Sequence, residues 1–93
     1  MNRVQHLQHV LAEFDIEGLI AIGAPQDEYS PEAQRIDELI GKAEYPDRPT
    51  LKNIVIRVWG DMFGLDESDL QLRDAEFEKL VQHLTTIENG LYA

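Results

Sequence analysis

"TLKNIVIRVWGDMFG", residues 50–64, decides the fold. Its β-branched run Ile54-Val55-Ile56 favours a strand. Yet Leu51, Ile54, Val55, Val58 and Met62 recur at 100° per residue on one helix face. The one segment able to pair with it as a strand is 19–22, and a lone two-stranded ribbon is marginal in water. The helix reading therefore prevails, with Thr50 as cap and Gly64 as stop. Ile56, Trp59 and Phe63 form a second apolar stripe, leaving only Asn53, Arg57, Gly60 and Asp61 on the polar arc. A helix apolar over more than half its circumference is central to its domain or shared with a partner. Aromatic residues are enriched in interface cores, so Ile56, Trp59 and Phe63 are candidate partner-binding residues.

Upstream, "EYPDRP" (44–49) is a turn, because two closely spaced prolines remove donors from helix and sheet alike. Before it, Ser30-Pro31-Glu32 supplies a cap, a proline at the first helical position and an acid in the first turn. Ala33, Ile36, Leu39, Ile40 and Ala43 then share one face of the helix that follows. Val4, Leu7, Val10, Leu11 and Phe14 predict a helix over 3–14. Asp15 is positioned to cap a short helix bearing Ile16, Leu19, Ile20 and Ile22, ended by Gly23-Ala24-Pro25; the run 19–22 also suits a strand. Downstream, Asp74 opens a helix with Phe77, Leu80, Val81, Leu84 and Ile87, closed by Asn89-Gly90. No repeat or linker interrupts the chain. The expectation is an all-α bundle of four main helices plus a short one, with residues 1–93 as a single domain.

With 93 residues the chain buries roughly 60–65% of its unfolded surface, which leaves little room for a deep pocket. Eighteen acids against eight bases give a net charge of -10, which repels phosphate backbones and anionic lipid. Nucleic acid and membrane are therefore not expected partners. The absence of cysteine removes disulfides, thiolate zinc sites and cysteine nucleophiles. The opening MNRVQHLQHV has no apolar h-region and no apolar run reaches a membrane-spanning length, so the reading is cytoplasmic.

Candidate chemistries fall away one by one. His6 and His9 make an H-x-x-H pair without a nearby third ligand, and with His83 they read as surface histidines on helix flanks. The acidic run 66–78 has Leu70 and Gln71 where a calcium loop needs a ligand and a glycine, so it is not an EF-hand. Glu32 with Asp37 or Glu38 lies on a helix face read as exposed, with nothing to tune a carboxylate for acid/base work. An acyl carrier is also small, acidic and helical, but Ser68 stands in Glu67-Ser68-Asp69 rather than in the Asp-Ser-Leu of a prosthetic-group site. No enzymatic activity, metal or cofactor is expected.

From the end of the first helix to beyond Ser30 runs "FDIEGLIAIGAPQDEYSPEAQRI", 14–36. Through Asp15, Gly18, Leu19, Gly23-Ala24-Pro25, Asp27-Glu28-Tyr29, Glu32-Ala33 and Ile36 it resembles the YugE-like family of small uncharacterised bacterial proteins. The likeness covers about a quarter of the chain, and the remainder follows only in length and helical pattern. The family often carries proline after the position of Asp15 and an acid at that of Ser30, where Ile16 and Ser30 stand here. The resemblance implies a compact helical bundle with no established activity or site residues. Ser30 and Pro31 read as helix start, with the Tyr29 ring folded on the first turns. Asp27 and Glu28 are left over, as charge near the helix N-terminus, partners for Arg48, or partner-binding residues.

The function expected from these readings is a non-catalytic, cytoplasmic protein-interaction module, accessory or immunity-like. It would bind another protein or itself as a homodimer. A carrier or small-ligand-binding protein is the alternative.

Overall fold

Residues 50–63 are helical in the structure, a computed structural model that describes residues 3–44 and 46–85. The helices are α1 (Arg3–Phe14), α2 (Ser30–Ala43), α3 (Arg48–Phe63), α4 (Glu67–Leu72) and α5 (Asp74–Leu84), and the described residues contain no strand. The chain is thus all-α, with four longer helices and one short one. α1 packs on α2, α2 on α3, α3 on α5 and α5 back on α1, so the long helices close a ring around one core. α4 fills the corner between α3 and α5.

The core takes one stripe from each long helix. Leu7, Val10 and Leu11 come from α1, and Ala33, Ile36 and Ile40 from α2. α3 gives Leu51, Val55, Val58 and Trp59; α5 gives Phe77, Leu80, Val81 and Leu84. Ion pairs tie neighbours at the rim: Arg3 to Asp37 across α1 and α2, and Lys52 to Asp74 (2.9 Å) and Glu78 (2.7 Å) across α3 and α5. Such exposed pairs add little stability each.

The helix starts differ from expectation. α3 begins at Arg48 rather than after Thr50: Asp47 is extended, and its carboxylate accepts the Thr50 N–H at 2.9 Å. Pro49 is tolerated inside the first turn because its missing N–H would have no helical partner there. At α2, Tyr29 occupies the cap position with no side-chain cap bond, and the Ser30 hydroxyl instead accepts a long 3.4 Å bond from Gln34 Nε2. Asp47→Ala is therefore expected to lower the melting temperature, and Ser30→Ala to leave it nearly unchanged. Thermal melts of the two variants check this, and the reverse order would contradict the cap assignment. The C-terminus of α3 is as expected, with Gly64 at φ +64 donating its N–H to the Gly60 carbonyl.

The short helix expected at 15–22 does not form. Asp15 leaves the helical region at φ +45 and closes α1 by donating its N–H to the Leu11 carbonyl (2.9 Å), and residues 16–23 run as turns. Gly18 at φ +70 and Gly23 at φ +110 supply the left-handed backbone these turns need. The short helix is α4 instead. Asp66 accepts the Asp69 N–H (2.9 Å) while the Asp69 carboxylate accepts the Asp66 N–H (3.3 Å), a reciprocal capping box. α5 starts at Asp74 as expected, whereas Ile87 and Asn89-Gly90 lie outside the described residues.

Candidate functional site

The 14–36 stretch holds itself against the bundle with two carboxylates. Asp15 accepts the Tyr29 hydroxyl at 2.6 Å together with the N–H groups of Ile20 (3.1 Å) and Ala21 (2.9 Å). It therefore works across the whole loop rather than as a local cap. Burial works to raise the Asp15 pKa, but the Tyr29 bond and these backbone donors outweigh it and hold the carboxyl below its ordinary value. Tyr29 is 0% exposed. Its oxygen accepts the Glu17 N–H (3.3 Å), and its ring stacks on Trp59 at 5.8 Å and 18°. Burial first, and the neighbouring Asp15 second, push its pKa well up, so it stays a proton donor to Asp15.

Glu17 is the second anchor. Arg73, at the α4–α5 junction, donates Nε to Glu17 Oε2 (2.6 Å) and NH2 to Oε1 (2.9 Å), a bidentate pair. Its NH1 goes to the Asp69 carbonyl (2.7 Å), and Trp59 Nε1 donates to Glu17 Oε2 at 2.9 Å. The Arg73 guanidinium holds the Glu17 carboxyl below its usual value against the opposing effect of burial. Loop, α3 and the α4–α5 junction are thereby clamped through one carboxylate. Every polar group in this clasp is taken up by the chain itself.

Among the residues singled out by sequence, Asp27 and Glu28 are exposed and their backbones form turns: Glu28 donates to the Pro25 carbonyl and Ser30 to that of Asp27, each at 3.0 Å. No described contact joins either to Arg48. Trp59 is fully buried at the centre of an aromatic cluster with Tyr29, Phe63 and Phe77, so it presents nothing to a partner. Ile56 and Phe63 are half-buried and rest on the core. Met62, expected on the core stripe, is 43% exposed. Glu32 is not exposed as expected: at 6% exposure, burial first and Glu28 second push its carboxyl up, with its own backbone N–H opposing them. Asp37 instead pairs with Arg3, while Glu38 faces Arg35 (3.1 Å) and Lys42 (3.6 Å) on the surface. Ser68 is exposed in the first turn of α4.

The histidines divide. His9 is exposed beside Glu13 (2.9 Å). His83 meets the edge of the Phe14 ring at 5.7 Å. His6 differs from the surface reading, since its Nε2 is buried without a hydrogen-bond partner. Burial first, then His83 and His9, lower its pKa against the pull of Glu13. A histidine depressed in the fold binds fewer protons there than when unfolded, so its contribution is complete above pH 6.5 and is lost as pH falls through the folded value. NMR titration is expected to place His6 below pH 6.5, and the wild type to lose stability relative to His6→Gln as the pH drops from neutral. A His6 midpoint above 6.5 would contradict its burial. The described residues contain no group of three metal-capable side chains.

What the clasp does not use is a groove of about 330 Å³ between α2 and α3. Leu39 and Ala43 line one wall and Thr50, Asn53 and Ile54 the other, with Lys42 and Arg57 adding positive charge. The groove is shallow and mostly apolar. Leu39 and Ile54 sit at positions the apolar periodicity assigns to the core, yet both are only partly buried. No described helix is long and apolar enough to cross a membrane. Compared with protein-family models, with curated proteins and with solved structures, the chain finds no match.

Proposed function

We infer that this chain is a non-catalytic, cytoplasmic protein-interaction module, accessory or immunity-like, and that its contact surface is the groove between α2 and α3. The observation that carries the reading is the groove itself: Leu39, Ala43 and Ile54 form an apolar strip open to solvent between two helices. A small-ligand site encloses most of its ligand. An open strip between helices suits side chains presented by another protein. The -10 charge keeps nucleic acid and anionic lipid away. The likeness of residues 14–36 to the YugE-like family stays a resemblance on this reading; within that stretch Asp15 bonds to Tyr29 and Gly18 takes the left-handed backbone of a turn.

The test is capture from cell extract on immobilised wild type and Ile54→Glu, with circular dichroism confirming that the variant is folded. A protein retained by the wild type and lost by the variant supports the reading. Equal retention by both would remove the groove from the account. Intact mass of the purified chain addresses the alternative, since a covalent addition on Ser68 would make it a carrier.

A further inference from the structure

We propose that the α2–α3 groove receives an acidic amphipathic helix of another protein, with apolar side chains on the strip and carboxylates on Lys42 and Arg57. The inference rests on the interaction reading above and names the chemistry of the partner. Thr50, Asn53, Ile54 and Arg57 follow an i, i+3, i+4, i+7 pattern, so this wall of the groove runs about 10 Å along α3. That length matches two turns of a docked helix presenting side chains at i and i+3 or i+4.

Charge selects the partner. The chain carries eighteen acids and eight bases, so acids outnumber bases by more than two to one. Arg3, Arg35, Lys42, Lys52, Arg73 and Lys79 all reach carboxylates, whereas Arg48 and Arg57 make no ion pair among the described residues. Of the two unpaired bases Arg57 is the one at the groove, and Lys42 beside it keeps an exposed pair with Glu38 at 3.6 Å. An unpaired Arg57, with Lys42 beside it, flanking an apolar strip is complementary to acids supplied from outside. At physiological salt, screening over about 8 Å lets these local charges outweigh the distant net charge. A second copy docked groove to groove is a poorer occupant, because it would set Lys42 and Arg57 against the same cations of its partner.

The test uses the full chain and two synthetic amphipathic helical peptides of about four turns, one patterned with leucine and glutamate and the other with lysine replacing every glutamate. Binding is read by fluorescence anisotropy at physiological salt. Net charge alone dictates preference for the lysine peptide. The proposal expects the glutamate peptide to bind at least about tenfold more tightly, Ile54→Glu to abolish that binding, and Arg57→Glu, at an exposed site where folding is not at stake, to reverse the preference. Tighter binding of the lysine peptide to the wild type, or no binding of either, overturns it. So does a sedimenting dimer that Ile54→Glu dissociates, which gives the groove to a second copy, or displacement of the glutamate peptide by stoichiometric decanoate, which gives it to a small anion. If the lysine peptide prevails and Ile54→Glu abolishes its binding, the acidic partner falls while the interaction reading stands. If Ile54→Glu alters no binding, both fall.

Discussion

Trp59→Ala is expected to remove about 3–5 kcal/mol of folding stability, the range for deleting a large buried aromatic. Three losses combine. The indole is fully buried, so truncation leaves a cavity at the meeting point of α3, α5 and the loop. Its contacts with Tyr29 (5.8 Å), Phe63 (5.1 Å) and Phe77 (6.1 Å) go together. Glu17 also loses the Nε1 donor at 2.9 Å. Domains of this size have about 5–15 kcal/mol in total, so the variant should be near unfolding at room temperature. Urea titration followed by circular dichroism measures it, since the variant lacks the chain's single tryptophan. A loss below about 1 kcal/mol would mean that Trp59 is not at the centre of the core.

Arg73→Met is expected to cost about 2–3 kcal/mol, less than the 3–5 of a fully buried pair because both side chains keep some solvent contact. The cost comes from leaving the Glu17 carboxylate partly buried with Trp59 as its only side-chain donor. Glu17→Gln with Arg73→Met should therefore be the milder change, since no uncompensated charge remains. Arg73→Lys cannot reproduce the bidentate pair and the Asp69 carbonyl contact together. The pH dependence follows from the direction of the Glu17 shift. Its carboxyl is held below the ordinary value, so its stabilisation is complete above pH 4.5 and is lost as pH falls through the folded value. In Arg73→Met the acid limb of the stability profile should flatten. An unchanged limb would show that the pair does not titrate with folding.

The long helices were legible because apolar spacing alone determines them. α1 spans Arg3–Phe14 as the stripe from Val4 to Phe14 requires, and α3 is a helix despite Ile54-Val55-Ile56 because ring packing rewards a helical stripe over β-branched propensity. Residues 15–22 were misleading because an apolar run with a leading Asp imitates a capped helix. The two left-handed glycines and the reach of Asp15 to Ile20 and Ala21 are tertiary choices. α4 had a usable signal in Asp66 and Asp69, an all-aspartate version of the capping box.

The clasp was half legible. Glu17 within an apolar stretch and Arg73 within an acidic one are each out of place, but their pairing spans 56 residues and no local pattern joins them. Asp15 and Tyr29, by contrast, both lie within the 14–36 stretch, and their bond accounts for Tyr29 better than a fold-back on α2 does. The groove was illegible because Leu39 and Ile54 satisfy the helical period as well as true core residues do. Periodicity gives the angle around a helix, and only the position of the neighbouring helix decides whether that angle is covered.

The central claim is that the α2–α3 groove, and not the 23–36 motif, is the surface this chain offers to others. Amide NMR spectra of the labelled chain, recorded alone and with the protein it captures, test this most directly. The account predicts shifts centred on Leu39, Lys42, Ala43, Thr50, Asn53, Ile54 and Arg57, with Asp27 and Glu28 unmoved. Shifts centred on Asp27 and Glu28 with the groove silent would contradict it.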